Sequence, residues 1–167
     1  MAVWNGYVFG FLIFAFLVER IRAAPAPSCP QDWFKHGRSC YAFITSRKSS
    51  WLGAMTSCRE VNAEIVEIET ADENNFLRSH LIQNHINEHF WVGGTDAFLE
   101  GHWIWINTRQ PFTFTDWAPL EPYQGVGNDC MTLAYHEGYH WNDDVCDHQY
   151  DFICEKEAVI DESIVIG

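Results

Sequence analysis

The chain has 167 residues, 47% of them hydrophobic, which suffices for one ordinary domain with its own core plus short appendages. Its formal net charge is −13 at pH 7. A surface of that sign repels phosphate backbones and excludes nucleic acid as a partner, but it is compatible with cations and neutral ligands.

Residues 1–18 carry no charged side chain, and their apolar heart, Val8 to Val18, reads "VFGFLIFAFLV" before the small residues of "RAAPAP". This is the pattern of a secretory signal peptide, although no Lys or Arg precedes the apolar run. A membrane anchor is the alternative, weakened by Asn5 and Gly6 in the first turns. Cleavage is expected after Ala23, giving a signal peptide over 1–23 and a proline-rich linker over 24–28. Removal takes away two arginines and one glutamate, which makes the charge −14. The mature chain is expected to be secreted and extracellular, with no membrane attachment.

The body runs from Cys29 to Lys156 and holds all six cysteines. An even count after a signal sequence implies disulfides, and spacing alone does not choose the pairing. Zinc is the rival, but there is no Cys-x-x-Cys pair. No N-x-S/T sequon occurs, so no N-glycan is expected.

Two helices are legible. In "SWLGAMTSCREVN", Trp51, Ala54, Cys58 and Val61 form one apolar stripe behind the N-cap Ser50. In "TADE", Thr70 with Glu73 is a capping-box pattern, Leu77 and Leu81 follow on one face, and an end near His85 to Asn87 is expected. Then "FWVGG", "HWIWI" and "FTFTDW" read as short strands, with "HWIWI" covered on both faces. Between Asp116 and Gly127 four Pro and Gly residues punctuate a long loop, the kind that is often functional. "CMTLAY" and "YDFICEK" read as closing strands. The order predicts an α+β fold. Residues 157–167 read as an acidic and apolar C-terminal tail, with an added strand as one option.

The pieces "CPQDWFKHGRSCYAF", "FWVGGTDAFLEGHWIW", "DWAPLEPYQGVGNDC", "WNDDVC" and "YDFICEK", with the Cys58 helix between them, are specific in combination. Through them the chain resembles a C-type lectin-like domain in its long form, over residues 29–156; the detail is most similar to perlucin-like secreted invertebrate lectins. The resemblance implies two helices flanking small antiparallel sheets, a long ligand-binding loop, and the disulfides Cys29–Cys40, Cys58–Cys154 and Cys130–Cys146.

It also implies a calcium ion that takes part in sugar binding. Calcium takes roughly six to eight oxygens. Carried over, Glu121 matches the first acid of an acid–Pro–amide triplet, Asn128 the position of a further acid two residues before the cysteine, and Asn142 and Asp143 the paired ligands of the "WND" run. Pro122 matches a proline that is often cis in the family. Two positions depart. Tyr123 stands where an amide or acid is usual, and a phenol of pKa about 10 is a poor ligand near neutral pH. Asn128 replaces an acid, so one charge is lost. With Gln124 as a stand-in, the site is expected at the weak end of extracellular sites, roughly 10⁻⁴–10⁻³ M, or empty. Asp96, Glu100 and Asp129 match a second ion site of some relatives; ordinary turn and surface acids are the alternative.

The ligand so implied is a glycan, with mannose type slightly favoured by Glu121, and Tyr123 able to pack on a sugar face. Trp141 is assigned to the core beneath the loop. The histidines His136 and His140, and His85 and His89, are expected to be surface residues, not zinc ligands. No nucleophile elbow or phosphate loop is present, so no enzyme is expected. The expected function is a carbohydrate-binding lectin for pattern recognition (innate immunity) or matrix contact. Sugar affinity near millimolar, about −4 kcal/mol, calls for multivalency and self-association as a homo-oligomer. The alternative is a calcium-independent module of the same fold that binds protein or mineral.

Overall fold

Local capping starts both helices where their patterns begin. A computed structural model describes residues 26–160 apart from 124 and 126; the expected signal peptide and the end of the tail lie outside the described residues. Helix α1 spans Trp51–Glu60, and the Ser50 side chain accepts from the Gly53 N–H. Trp51, Ala54, Met55 and Cys58 are buried, whereas Val61 caps the helix and is exposed. Helix α2 spans Ala71–Gln83, where Thr70 accepts from the Glu73 N–H. The Glu73 carboxylate accepts from the Glu69 N–H instead of the Thr70 N–H, and its other oxygen accepts from the Tyr41 hydroxyl. The helix stops earlier than expected, because Asn84 caps it and His85 takes a left-handed φ of 52°.

The strands are β1 Phe34–His36, β2 Ser39–Ser49, β3 Glu64–Ile65, β4 Phe90–Thr95, β5 Ile104–Trp105, β6 Cys130–Ala134, β7 His140–Asp144 and β8 Tyr150–Glu157. They join in one sheet of order β1-β2-β8-β4-β6-β7, with β3 on β8 and β5 on β4. The pairings are antiparallel except β4 with β8, which run parallel through Phe90–Asp151 and Trp91–Phe152. That pair joins two antiparallel halves, so the α+β fold is built on a mixed sheet. Along β4 the side chains alternate. Phe90 and Val92 pack in a cluster with Leu77 and Leu81 of α2, and Trp91 packs in another with Trp51 and Cys58 of α1.

Two expected strands are corrected. "HWIWI" contributes only Ile104–Trp105. "FTFTDW" is not a strand: its last residue, Trp117, makes an isolated bridge to Trp141, and Pro111 just before it makes another to Ile104. Phe112, Phe114 and Trp117 do pack inward against the core, so burial alternates without a ladder.

The three bridges Cys29–Cys40, Cys58–Cys154 and Cys130–Cys146 are formed. The second ties α1 to β8, and the third ties the start of β6 to the chain just beyond β7. Among the described residues no helix is long and apolar enough to cross a membrane.

Candidate functional site

The long loop leaves and re-enters the domain at pinned points. At its start the Trp141 N–H donates to the Asp116 carbonyl at 2.9 Å, and the Ala118 N–H donates to the Trp141 carbonyl at 2.8 Å. Beneath it the fully buried Trp141 indole donates to Asn74 Oδ1 at 2.8 Å. Asn74 Nδ2 in turn donates to Asp116 Oδ2 at 2.7 Å, which also receives Arg78 Nη1 at 3.0 Å. At its end the Asp129 carbonyl accepts from the Thr95 hydroxyl at 2.6 Å, and Cys130 enters β6.

Between these anchors lies the site. The Glu121–Pro122 bond is cis. Asp143, on β7, is only 3% exposed. One of its oxygens accepts from the Tyr123 N–H at 2.8 Å. Its other oxygen, Oδ2, is buried without a partner, and so is Oε2 of Glu121. Burial first, and then the neighbouring Glu121 carboxyl, push Asp143 up to about 7, against the opposing Tyr123 N–H. Two buried carboxyl oxygens without partners are expensive unless a proton or a cation joins them. Asn142 Nδ2 donates to the Asp143 carbonyl at 2.7 Å. Asn128 is partly buried in the loop nearby in sequence, and the Tyr123 side chain points to solvent, 63% exposed. Tyr123 therefore meets Asp143 through its backbone, not its phenol. Gln124 lies outside the described residues. The donor set, two acids and two amides, suits a hard cation such as calcium.

The second group is less assembled. Asp96 is 3% exposed; its Oδ2 accepts from the Gly101 N–H at 2.8 Å, and its Oδ1 has no partner. Burial raises its pKa against the Gly101 N–H, and the charges of Asp129 and Asp143 raise it further. Glu100 is exposed at the turn and is raised by desolvation and by Asp96, Asp129 and Asp143. These acids feel one another, yet among the described residues no three Asp, Glu, His or Cys side chains converge tightly enough to hold an ion.

A family model described as "Lectin C-type domain" matches residues 47–156. This chain belongs to the C-type lectin domain family. It is 35% identical to perlucin of Haliotis laevigata over 133 residues, covering 78% of this chain and 84% of perlucin. It is 36% identical to C-type lectin domain family 4 member M of Pan troglodytes, but spans only 28% of that longer protein. Among solved structures, the mouse scavenger receptor C-type lectin carbohydrate-recognition domain aligns with TM-score 0.72 and 30% identity, over 79% of this chain and 100% of that one. A calcium-independent type II antifreeze protein shares the fold at TM-score 0.71 and 23% identity, over 80% of this chain and 98% of that one.

Of the four histidines expected at the surface, His140 and His89 are partly buried. His140 Nδ1 meets Asp116 Oδ1 at 3.0 Å and its Nε2 meets Arg78 at 2.8 Å, inside the network that supports Trp141. His136 instead packs edge-on to His89, 5.3 Å between centroids. His85 is exposed.

Sequence reasoning missed an acidic groove of about 400 Å³ where β2, β3 and the end of β8 meet, lined by Glu67, Glu69 and Glu155 among others. Glu67 holds the Asn107 and Thr108 N–H groups, and Glu73 lies close by, on Tyr41. Burial, opposed by the Ser39 hydroxyl and reinforced by Glu73, pushes Glu155 up to about 7. Because its folded pKa exceeds the unfolded carboxylate value of about 4.3, the folded state binds more protons and stability falls as pH rises from about 4 to 7. In EDTA, Glu155→Gln should match the wild type in melting temperature near pH 4 and exceed it at pH 8. Parallel melting curves for the two proteins across that range would refute this assignment.

Proposed function

We propose that this domain is a secreted carbohydrate-binding lectin whose calcium-assisted site is built from Glu121, Asn128, Asn142 and Asp143. The observation that carries this reading is the pair of buried, unpartnered oxygens, Glu121 Oε2 and Asp143 Oδ2. Calcium bound there would offer coordination positions to two neighbouring sugar hydroxyls. Glu121 accepts hydrogen bonds from those hydroxyls, and the amides of Asn128 and Asn142 donate to them. Glu121 in first place leans to mannose-type equatorial hydroxyls. Asp96, Glu100 and Asp129 form an auxiliary site that fills only when an ion draws them together. A single shallow site of this type needs several copies for useful avidity, so a homo-oligomer acting in pattern recognition or matrix contact fits it best.

The second reading is a calcium-independent module for protein or mineral. It is favoured by one contact: the Tyr123 N–H already occupies Asp143 Oδ1, and the phenol beside it is no ligand.

Thermal melts in 10 mM CaCl₂ and in EDTA separate the two. With a dissociation constant of about 1 mM, calcium adds about 1.4 kcal/mol of stability, which is about 3–6 °C. A glycan array with and without EDTA should then show signals that EDTA removes. Identical melts together with a silent array would leave only the second reading.

A further inference from the structure

The helical spacing that pairs His85 with His89 and His136 with His140 in the sequence is not the pairing that the fold makes. His89 directly precedes β4, and His136 sits in a one-turn 3-10 helix, Tyr135–Glu137, that links β6 to β7. Antiparallel pairing of Phe90 with Leu133 brings the two segments together. They meet at the end of β6 opposite Cys130, where the long loop re-enters. The two rings lie 5.3 Å apart between centroids, at 65° to each other. Two imidazoles bound to one tetrahedral metal at about 2.0–2.1 Å also hold their centroids about 5 Å apart.

The chemistry around the pair agrees. His89 Nδ1 is buried and has no hydrogen-bond partner, a costly state for a ring nitrogen. Burial, and then the charge of His136, lower the pKa of His89, against Asp144 and Glu88. The ring is therefore neutral near pH 7, with a lone pair to give. His136 is exposed, so its ring can turn to meet an incoming ion. The nearby acids are engaged elsewhere: Glu88 is held by Lys48, and Asp144 accepts from the Tyr150 hydroxyl at 2.8 Å and meets His148 Nδ1 at 2.9 Å. Among the described residues no third His, Cys, Asp or Glu completes the group, so the other ligands of an ion would be water. Imidazole nitrogen suits zinc, copper and nickel, whereas calcium takes oxygen.

We propose that His89, through Nδ1, and His136 form a two-histidine site for a borderline divalent metal of the zinc class. An ion bound there joins the start of β4 to the β6–β7 turn. The site is separate from the Glu121–Asp143 group and does not depend on the glycan reading.

The test titrates oxidised protein with ZnCl₂ while CaCl₂ is present, so that carboxylate sites are already served. At zinc ten times its dissociation constant the melting temperature should rise by about 3–6 °C. His136→Gln and His89→Gln should each lose that rise, and His148→Gln should keep it. Because His136 is exposed, its replacement should leave the zinc-free melting temperature within about 2 °C, and it decides the matter even if His89→Gln fails to fold. In NMR spectra a trace of CuCl₂ should broaden the ring C–H signals of His89 and His136 before those of the other histidines. Three outcomes overturn the inference: a zinc-induced rise that survives His136→Gln, broadening that begins at any other histidine, or zinc that moves neither the melting temperature nor the ring signals.

Discussion

Asp143→Asn should weaken calcium binding on the order of 100-fold and abolish calcium-dependent glycan binding, while raising the melting temperature of the metal-free protein. The two effects have one cause. In the wild type, Asp143 is buried against Glu121, and each carries an oxygen without a partner. Burial without a cation, and then the neighbouring Glu121 carboxyl, push Asp143 up to about 7. An asparagine keeps the shape, still accepts from the Tyr123 N–H, and can donate its amide to Glu121. That new hydrogen bond to a charged group is worth about 1.5–3 kcal/mol, so a rise of several degrees in EDTA is expected. The loss of one of two ligand charges removes the reason for a cation to enter. Melting curves in EDTA and in CaCl₂ measure both effects at once. A variant that melts lower than the wild type in EDTA would mean that the carboxyl pair is not frustrated. A variant that keeps the calcium increment would mean that the ion binds elsewhere.

How far the sequence carries the reader depends on the range of the interactions. Ser50 and Thr70 mark helix starts because an N-cap is settled within a single turn, and both cap as expected. Trp141 is readable as core because a small domain needs large apolar side chains there, and it is fully buried. The parallel contact of Phe90 with Asp151 is not readable, since nothing local links residues so far apart. "FTFTDW" misleads for a different reason: its alternation is real in burial, but Phe112 and Phe114 satisfy it by packing on Trp105 and Trp141 with no partner strand alongside. The site shows the same division. Residue types at Glu121, Asn142 and Asp143 are legible, whereas the Tyr123 N–H that occupies Asp143 is a backbone contact that no side-chain pattern announces. The acidic groove had a partial signal in "EIVEIE", where Glu67 and Glu69 alternate with Val66 and Ile68. Its decisive member, Glu155, comes from the other end of the domain.

Trp141 joins fold and site, so its replacement should be the most damaging single change in the core. The ring is fully buried and packs edge-on against Trp105, Phe112, Phe114 and Trp117. Trp141→Ala removes that payload and should destabilise by about 3–5 kcal/mol. Trp141→Phe keeps most of the ring but leaves Asn74 Oδ1 without its donor, for about 1–3 kcal/mol. The loss does not stop there, because Asn74 also holds Asp116, where the long loop begins. The next two residues along β7 are Asn142 and Asp143, so a loosened Trp141 moves the ligands themselves. Denaturant titration of oxidised protein gives both stabilities, and calcium titration of Trp141→Phe at a temperature where it stays folded should show weakened affinity as well. Adding Asn74→Leu to Trp141→Phe removes the stranded acceptor and should recover part of the stability but none of the calcium affinity, since Asp116 then loses its Asn74 donor. Full stability in Trp141→Phe would show that the indole N–H is dispensable. Unchanged calcium affinity in the same variant would uncouple the loop from the network beneath it.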